Sequence, residues 1–132
     1  MYFLKITFYI SNPILFLFYL YPGSILGCII TNDCDTQPQI LNQSVFLSLN
    51  HILIFILFSI LGFFAYYKNF KNILIYLIVI SIFLELAQII VPIRTFQVID
   101  LISNLLGIMI SIVIYKLFNI WKQKNKEINK IV

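Results

Sequence analysis

Glu85 stands inside an uninterrupted apolar run, Ile73 to Val91, and Gln88 follows it by one helical turn. Asp100 and Asn104 open the next apolar run, Arg94 lies in the break between the two, and His51 heads an earlier one. A carboxylate at the centre of a membrane span costs roughly 2.5–3.5 kcal/mol on insertion scales, so its retention points to use. The residue types suit proton transfer. His51 and Glu85 are candidate general base and acid, and Asp100 is a candidate to orient the imidazole. Gln88, Arg94 and Asn104 are candidate ligand-binding residues, the arginine for an anionic or phosphate group held bidentately. A metal site from His51, Glu85 and Asp100 lacks any tight ligand spacing, and neither metal nor cofactor is expected. There is no nucleotide-binding loop, no Ser/His/Asp pattern and no evident nucleophile.

The elements that must carry these residues follow from composition. The chain has 132 residues, 61% hydrophobic and 11% charged, with a mean hydropathy of +0.99. A soluble domain carries about 25% charged residues. So short a soluble chain has too little interior to hide this many Ile, Leu and Phe side chains. An all-α polytopic membrane protein is expected, a single domain covering residues 1–132. Four transmembrane helices in a compact bundle are read at about 2–21, 45–67, 73–91 and 101–118, with a basic tail at 119–132. Each approaches the ~20 residues that cross ~30 Å of hydrocarbon. Pro13 within the first span predicts a bend.

Eight of the nine basic residues fall at one set of span ends; only Arg94 lies at the other. The positive-inside rule then gives an N-in/C-in arrangement, with the 22–44 and 92–100 loops outside. Tyr19 and Tyr21 are assigned to the outer interface, and Tyr66, Tyr67, Tyr115 and Trp121 to the inner one. The net charge of +4 reflects this topology and gives no support to nucleic-acid binding. Membrane lipids are the expected partners, and the lysine-rich tail can rest on anionic ones. In the outer loop Cys28 and Cys34 are near enough in sequence for a disulfide, with free thiols equally open. Ile25-Leu26-Gly27-Cys28 looks like a lipoprotein box, but Pro22-Gly23 interrupts the preceding segment, and the first span is read as a retained helix. Asn42-Gln43-Ser44 fits the glycosylation pattern.

This topology brings the polar residues to similar depth. Glu85 lies about 9 Å inside its span end, at 1.5 Å per residue. Glu85 and Gln88 share a helix face, as do Asp100 and Asn104. Ser103, Gly107 and Ser111, four apart, form a small-residue stripe that lets helices approach closely, making the last span a packed central helix.

The series Glu85-x-x-Gln88-x-x-x-Pro92-x-Arg94-x-Phe96-x-x-x-Asp100-x-x-x-Asn104-x-x-Gly107, preceded by His51, resembles the signature of VanZ-like membrane proteins. The similarity covers roughly residues 45–118. It departs at Leu47 and Ser48, where that family's pattern has an acidic–basic pair shortly before the histidine. The resemblance implies a four-helix membrane protein of poorly defined activity, one member being associated with resistance to the glycopeptide teicoplanin. Two classes of function follow. In one, the cluster binds or modifies a lipid-linked, glycopeptide or other cell-envelope ligand at the outer leaflet. In the other, it is a hydrogen-bond network that only holds the helices of a structural or regulatory membrane protein together.

Overall fold

The computed structural model describes residues 2–30, 32–34, 47–92 and 94–131. The start of the second expected span and the Asn42-Gln43-Ser44 tripeptide lie outside them. Among the described residues five helices run in order: α1 (Tyr2–Leu20), α2 (Ile25–Ile30), α3 (Leu49–Ala65), α4 (Phe70–Ala87) and α5 (Val98–Ile131). Single 3₁₀ turns, Tyr67–Asn69 and Gln88–Ile90, flank α4. The architecture is all-helical, as isolated segments in lipid must be to satisfy their own backbone groups.

Among the described residues three helices are long and apolar enough to cross a membrane: α1, the Tyr67–Ile90 segment built on α4, and α5 through Ile128. The first two match the expected spans within a few residues, apart from the earlier start at Tyr67. The others differ. Helix α3 is apolar but only 17 residues long, about 25 Å at 1.5 Å per residue, and begins at Leu49 rather than Val45. Ser48 before it is extended (φ −86°, ψ 97°), and its amide donates across the bundle to Ser103 Oγ at 2.9 Å. The backbone therefore leaves the helix to make a tertiary bond. Helix α5 does not stop at Phe118. Its 34 residues carry the lysine-rich tail as helix, since Trp121 to Ile131 contain neither Gly nor Pro and include four lysines, one glutamine and one glutamate, residues that favour helix. Pro13 sits inside α1, which stays helical through it.

The bundle centres on α5, which packs most extensively against α3; α1 leans on α3, and α4 on α5. The small-residue stripe explains the closeness. A Cβ on Gly107 would lie 2.6 Å from the Ile52 carbonyl oxygen and 2.9 Å from Phe55 Cβ. Ser111 Oγ donates to the Ile56 carbonyl at 3.1 Å. Glycine and serine here let two backbones meet where a larger side chain would hold them apart.

Aromatic rings fill the remainder of the core. Phe8 stacks on Phe58, and Phe63 and Tyr115 both pack on Phe70. Tyr115, expected at an interface, is buried (8% exposed). The outward faces stay apolar: Leu57, Val79, Val113 and Leu117 are all more than half exposed. Such continuous apolar surface suits contact with lipid chains rather than water.

The two ends of the bundle differ in character. At one, the basic end, lie Lys5, the Tyr67–Asn69 turn with Lys68, and Lys71. The opposite, polar end holds α2, the 91–97 connection and the starts of α3 and α5. There Cys28 and Cys34 form a disulfide, which resolves the choice between bridged and free thiols. The Cys34 carbonyl accepts the Ser24 amide at 2.7 Å, and Gly23 at φ +101° makes the turn; a Cβ there would lie 2.5 Å from that same carbonyl oxygen.

Candidate functional site

Each of the four long helices sends at least one polar side chain into the polar end. From α4 come Glu85, fully buried, and, in the 3₁₀ turn that tightens its last residues, Gln88, 2% exposed. From α5 come Asp100 in the first turn, Ser103 and Asn104; from α3 comes His51, one turn after Ser48; from α1 comes Tyr19. All are buried, Glu85, Ser103 and Asn104 completely. The i, i+3 and i, i+4 spacings seen in the sequence put Glu85 with Gln88, and Asp100 with Asn104, on inward faces.

Two hydrogen-bonded groups result. In the first, Tyr19 Oη donates to Asn104 Oδ1 at 2.8 Å, and Asn104 Nδ2 donates to Glu85 Oε1 at 2.9 Å. A carboxylate only accepts, so Glu85 fixes the amide orientation and turns Oδ1 toward the phenol. In the second, His51 Nδ1 lies 3.1 Å from Asp100 Oδ1 and 2.7 Å from Ser48 Oγ. With the Nδ1 proton directed at Asp100, the lone pair of the ring sits on Nε2, where a base is useful. The tyrosine ring joins the two groups: the ring centroids of Tyr19 and His51 are 5.3 Å apart.

The six residues expected at the site are thus brought to one end of the bundle, and five of them line its interior. Arg94 is arranged differently from expectation. Its guanidinium is spent in part on the main chain, Nη2 donating to the Gly23 carbonyl at 2.6 Å and to that of Phe18 at 3.4 Å. Those carbonyls belong to the frayed end of α1 and the turn after it, which have no intrahelical donor left. The arginine therefore pins the Gly23 turn onto the 91–97 connection. Burial pushes its pKa down, opposed first by the negative charge of Glu85 and also by that of Asp100.

Not all polar atoms in the cluster are matched. Among the described residues Glu85 Oε2, Gln88 Nε2 and Arg94 Nε are buried with no hydrogen-bond partner. An acceptor and two donors thus remain available within one charged neighbourhood. Native interiors pair nearly all such groups, so each exception calls for an explanation. No group of three or more His, Cys, Asp or Glu side chains among the described residues is placed to hold a metal ion.

Three participants went unseen in the sequence. Tyr19 was assigned to the outer interface with Tyr21; Tyr21 is exposed at 39%, whereas Tyr19 is 3% exposed and reaches inward. A tyrosine at a span end gives the same signal in both roles. Ser48 occupies a place where the VanZ-like pattern has a charge, and supplies a hydroxyl to the histidine instead. Ser103 was read only as a small packing residue, yet its hydroxyl accepts the Ser48 amide and donates to the Ile99 carbonyl.

The sequence matches the family model described as VanZ/LLP1 over residues 5–119, which takes in α1, α3, α4, the first two-thirds of α5 and every residue of the polar cluster. No curated protein matches the chain, and no solved structure does. Helices long and apolar enough to cross a membrane, joined to that match, make this a multi-pass membrane protein, and the chain belongs to the VanZ/LLP1 family.

Proposed function

We propose that the polar end is a binding site, reached from the outer leaflet, for the polar portion of a lipid-linked or other cell-envelope molecule, a glycopeptide such as teicoplanin being one such ligand. The observation that carries this reading is the set of unmatched buried atoms. Glu85 Oε2 is an acceptor, and Gln88 Nε2 and Arg94 Nε are donors. A buried polar atom without a partner costs about 1–3 kcal/mol, and a ligand with its own amide, hydroxyl or phosphate oxygens removes that cost on binding. The site is also equipped for proton transfer, with His51 as base, oriented by Asp100, and Glu85, in its protonated form, as acid.

The reading includes the topology. All four long helices span the bacterial plasma membrane as one domain, N-in/C-in. The disulfide supports this orientation, because such bonds persist on the oxidising side of a membrane.

A purely structural role is the competing reading. It is favoured by the Tyr19–Asn104–Glu85 chain, which ties α1, α5 and α4 together. Glu85→Gln and Gln88→Met separate the two. Both keep side-chain size, and Gln88 Nε2 gives up no bond to the described residues when removed. If the cluster is only glue, both variants are tolerated or stabilising. If it binds a ligand, both insert and fold normally yet lose glycopeptide protection in an expressing strain, or binding of an envelope lipid by the purified protein. Full activity in Glu85→Gln would establish the structural reading.

A further inference from the structure

At the basic end, remote from the polar cluster, α1 and α4 part to leave a groove of about 540 Å³. Its floor is mainly apolar, formed by Phe8, Phe16 and Ile73, with the Asn12 amide between the two phenyl rings accepting the hydroxyl of Tyr76 from α4; its rim carries the amides of Asn69 and Asn72. Above it lies a second cavity of about 320 Å³, lined by Lys5 and Lys68 and sharing Tyr66 and Asn69 with the first. Lys5 Nζ sits 5.3 Å from the Tyr66 ring centroid, so the cation of α1 stands over the junction of the two cavities. Along α1, Phe16 is eleven residues past Lys5, about 16 Å at 1.5 Å per residue. That is close to the ~15 Å of one leaflet, half of a ~30 Å hydrocarbon core.

Charge, amide rim and apolar floor follow one another in the order of the parts of a phospholipid. Two lysines stand where a headgroup phosphate lies, amide donors where the glycerol esters lie, and phenyl and isoleucine side chains where an acyl chain lies. We infer that this groove holds one anionic phospholipid, its phosphate between Lys5 and Lys68 and one acyl chain along Phe8, Phe16 and Ile73. The charge complementarity excludes no shape but selects the acidic headgroup. Lys71, on the same turn of the chain, lines neither cavity and serves as the control for diffuse attraction to acidic membranes.

The test is lipid retention by the intact purified protein, equilibrated in vesicles of equal phosphatidylglycerol and phosphatidylcholine and then counted by native mass spectrometry. One phosphatidylglycerol per monomer is expected, enriched over phosphatidylcholine. Lys5→Ala/Lys68→Ala should lower that preference about tenfold, and Lys71→Ala should leave it unchanged. Asn72→Trp, at an exposed rim position, should plug the groove and release the lipid whatever its headgroup. Equal retention of both lipids by the unaltered protein would overturn the inference without any variant. So would loss of preference in Lys71→Ala equal to that in the double variant, or a second copy of the chain occupying the groove.

Discussion

Tyr19 shows what a single hydroxyl does in this protein. It is the side chain that α1 contributes to the Tyr19–Asn104–Glu85 group, and it fills the second polar atom of the Asn104 amide. Tyr19→Phe keeps the ring against His51 and Phe55 and leaves Asn104 Oδ1 without its donor. The expected loss is about 1 kcal/mol of stability, up to about 3 if no water reaches the orphaned oxygen. Thermal unfolding in detergent reads it. Tyr21→Phe, at an exposed position, should have no effect. The buried polar residues were legible because a carboxylate, an amide and a histidine stand out against Ile, Leu and Phe. The tyrosine was not, since an aromatic belt uses the same residue at the same depth. The partner of Arg94 was hidden for another reason: it is a pair of main-chain carbonyls, which no side-chain pattern encodes.

At the scale of elements, the contact between α3 and α5 rests on a glycine. The added methyl of Gly107→Ala would meet the Ile52 carbonyl at 2.6 Å, and backbone cannot yield as a flexible side chain does. The helices must separate, at about 1–3 kcal/mol by analogy with overpacked cores, and His51 and Asp100, which lie on those two helices, separate with them. The variant should therefore melt earlier and lose function together. Ser111→Ala, which gives up one interhelical hydrogen bond, should cost less than Gly107→Ala. The stripe that makes this contact was legible as spacing, and so were two of the spans within a few residues. The boundaries of α3 and α5 were not. Helix α3 starts late because the Ser48 amide bonds to Ser103, a tertiary event. Helix α5 runs on because hydropathy marks where apolar character ends, while helical propensity continues through the lysines.

The whole molecule is polarised, with a hydrogen-bonded, disulfide-carrying end and a basic one. The proposed orientation assigns the first to the outside. A thiol introduced at the exposed Thr95 should then react with a membrane-impermeant maleimide added to intact cells. One at the exposed Lys124 should react only after lysis. The reverse pattern would invert the molecule, and would place the Cys28–Cys34 bond in a reducing compartment where it should not persist.

The pairing of Glu85 with Asn104 also imposes an order on biosynthesis. The asparagine lies nineteen residues further along the chain, so α4 leaves the ribosome before its partner does. Strongly apolar apart from its few polar side chains, the α4 segment can enter the bilayer alone, but its carboxyl must wait, neutral or borrowing a passing donor, until α5 follows. Tyr19, already in place, cannot help directly, because it reaches the carboxylate only through Asn104. The α4–α5 hairpin is thus the smallest unit that enters lipid with its acid matched. A nascent chain arrested between the two helices presents a buried, unmatched carboxyl to the quality-control machinery of the membrane.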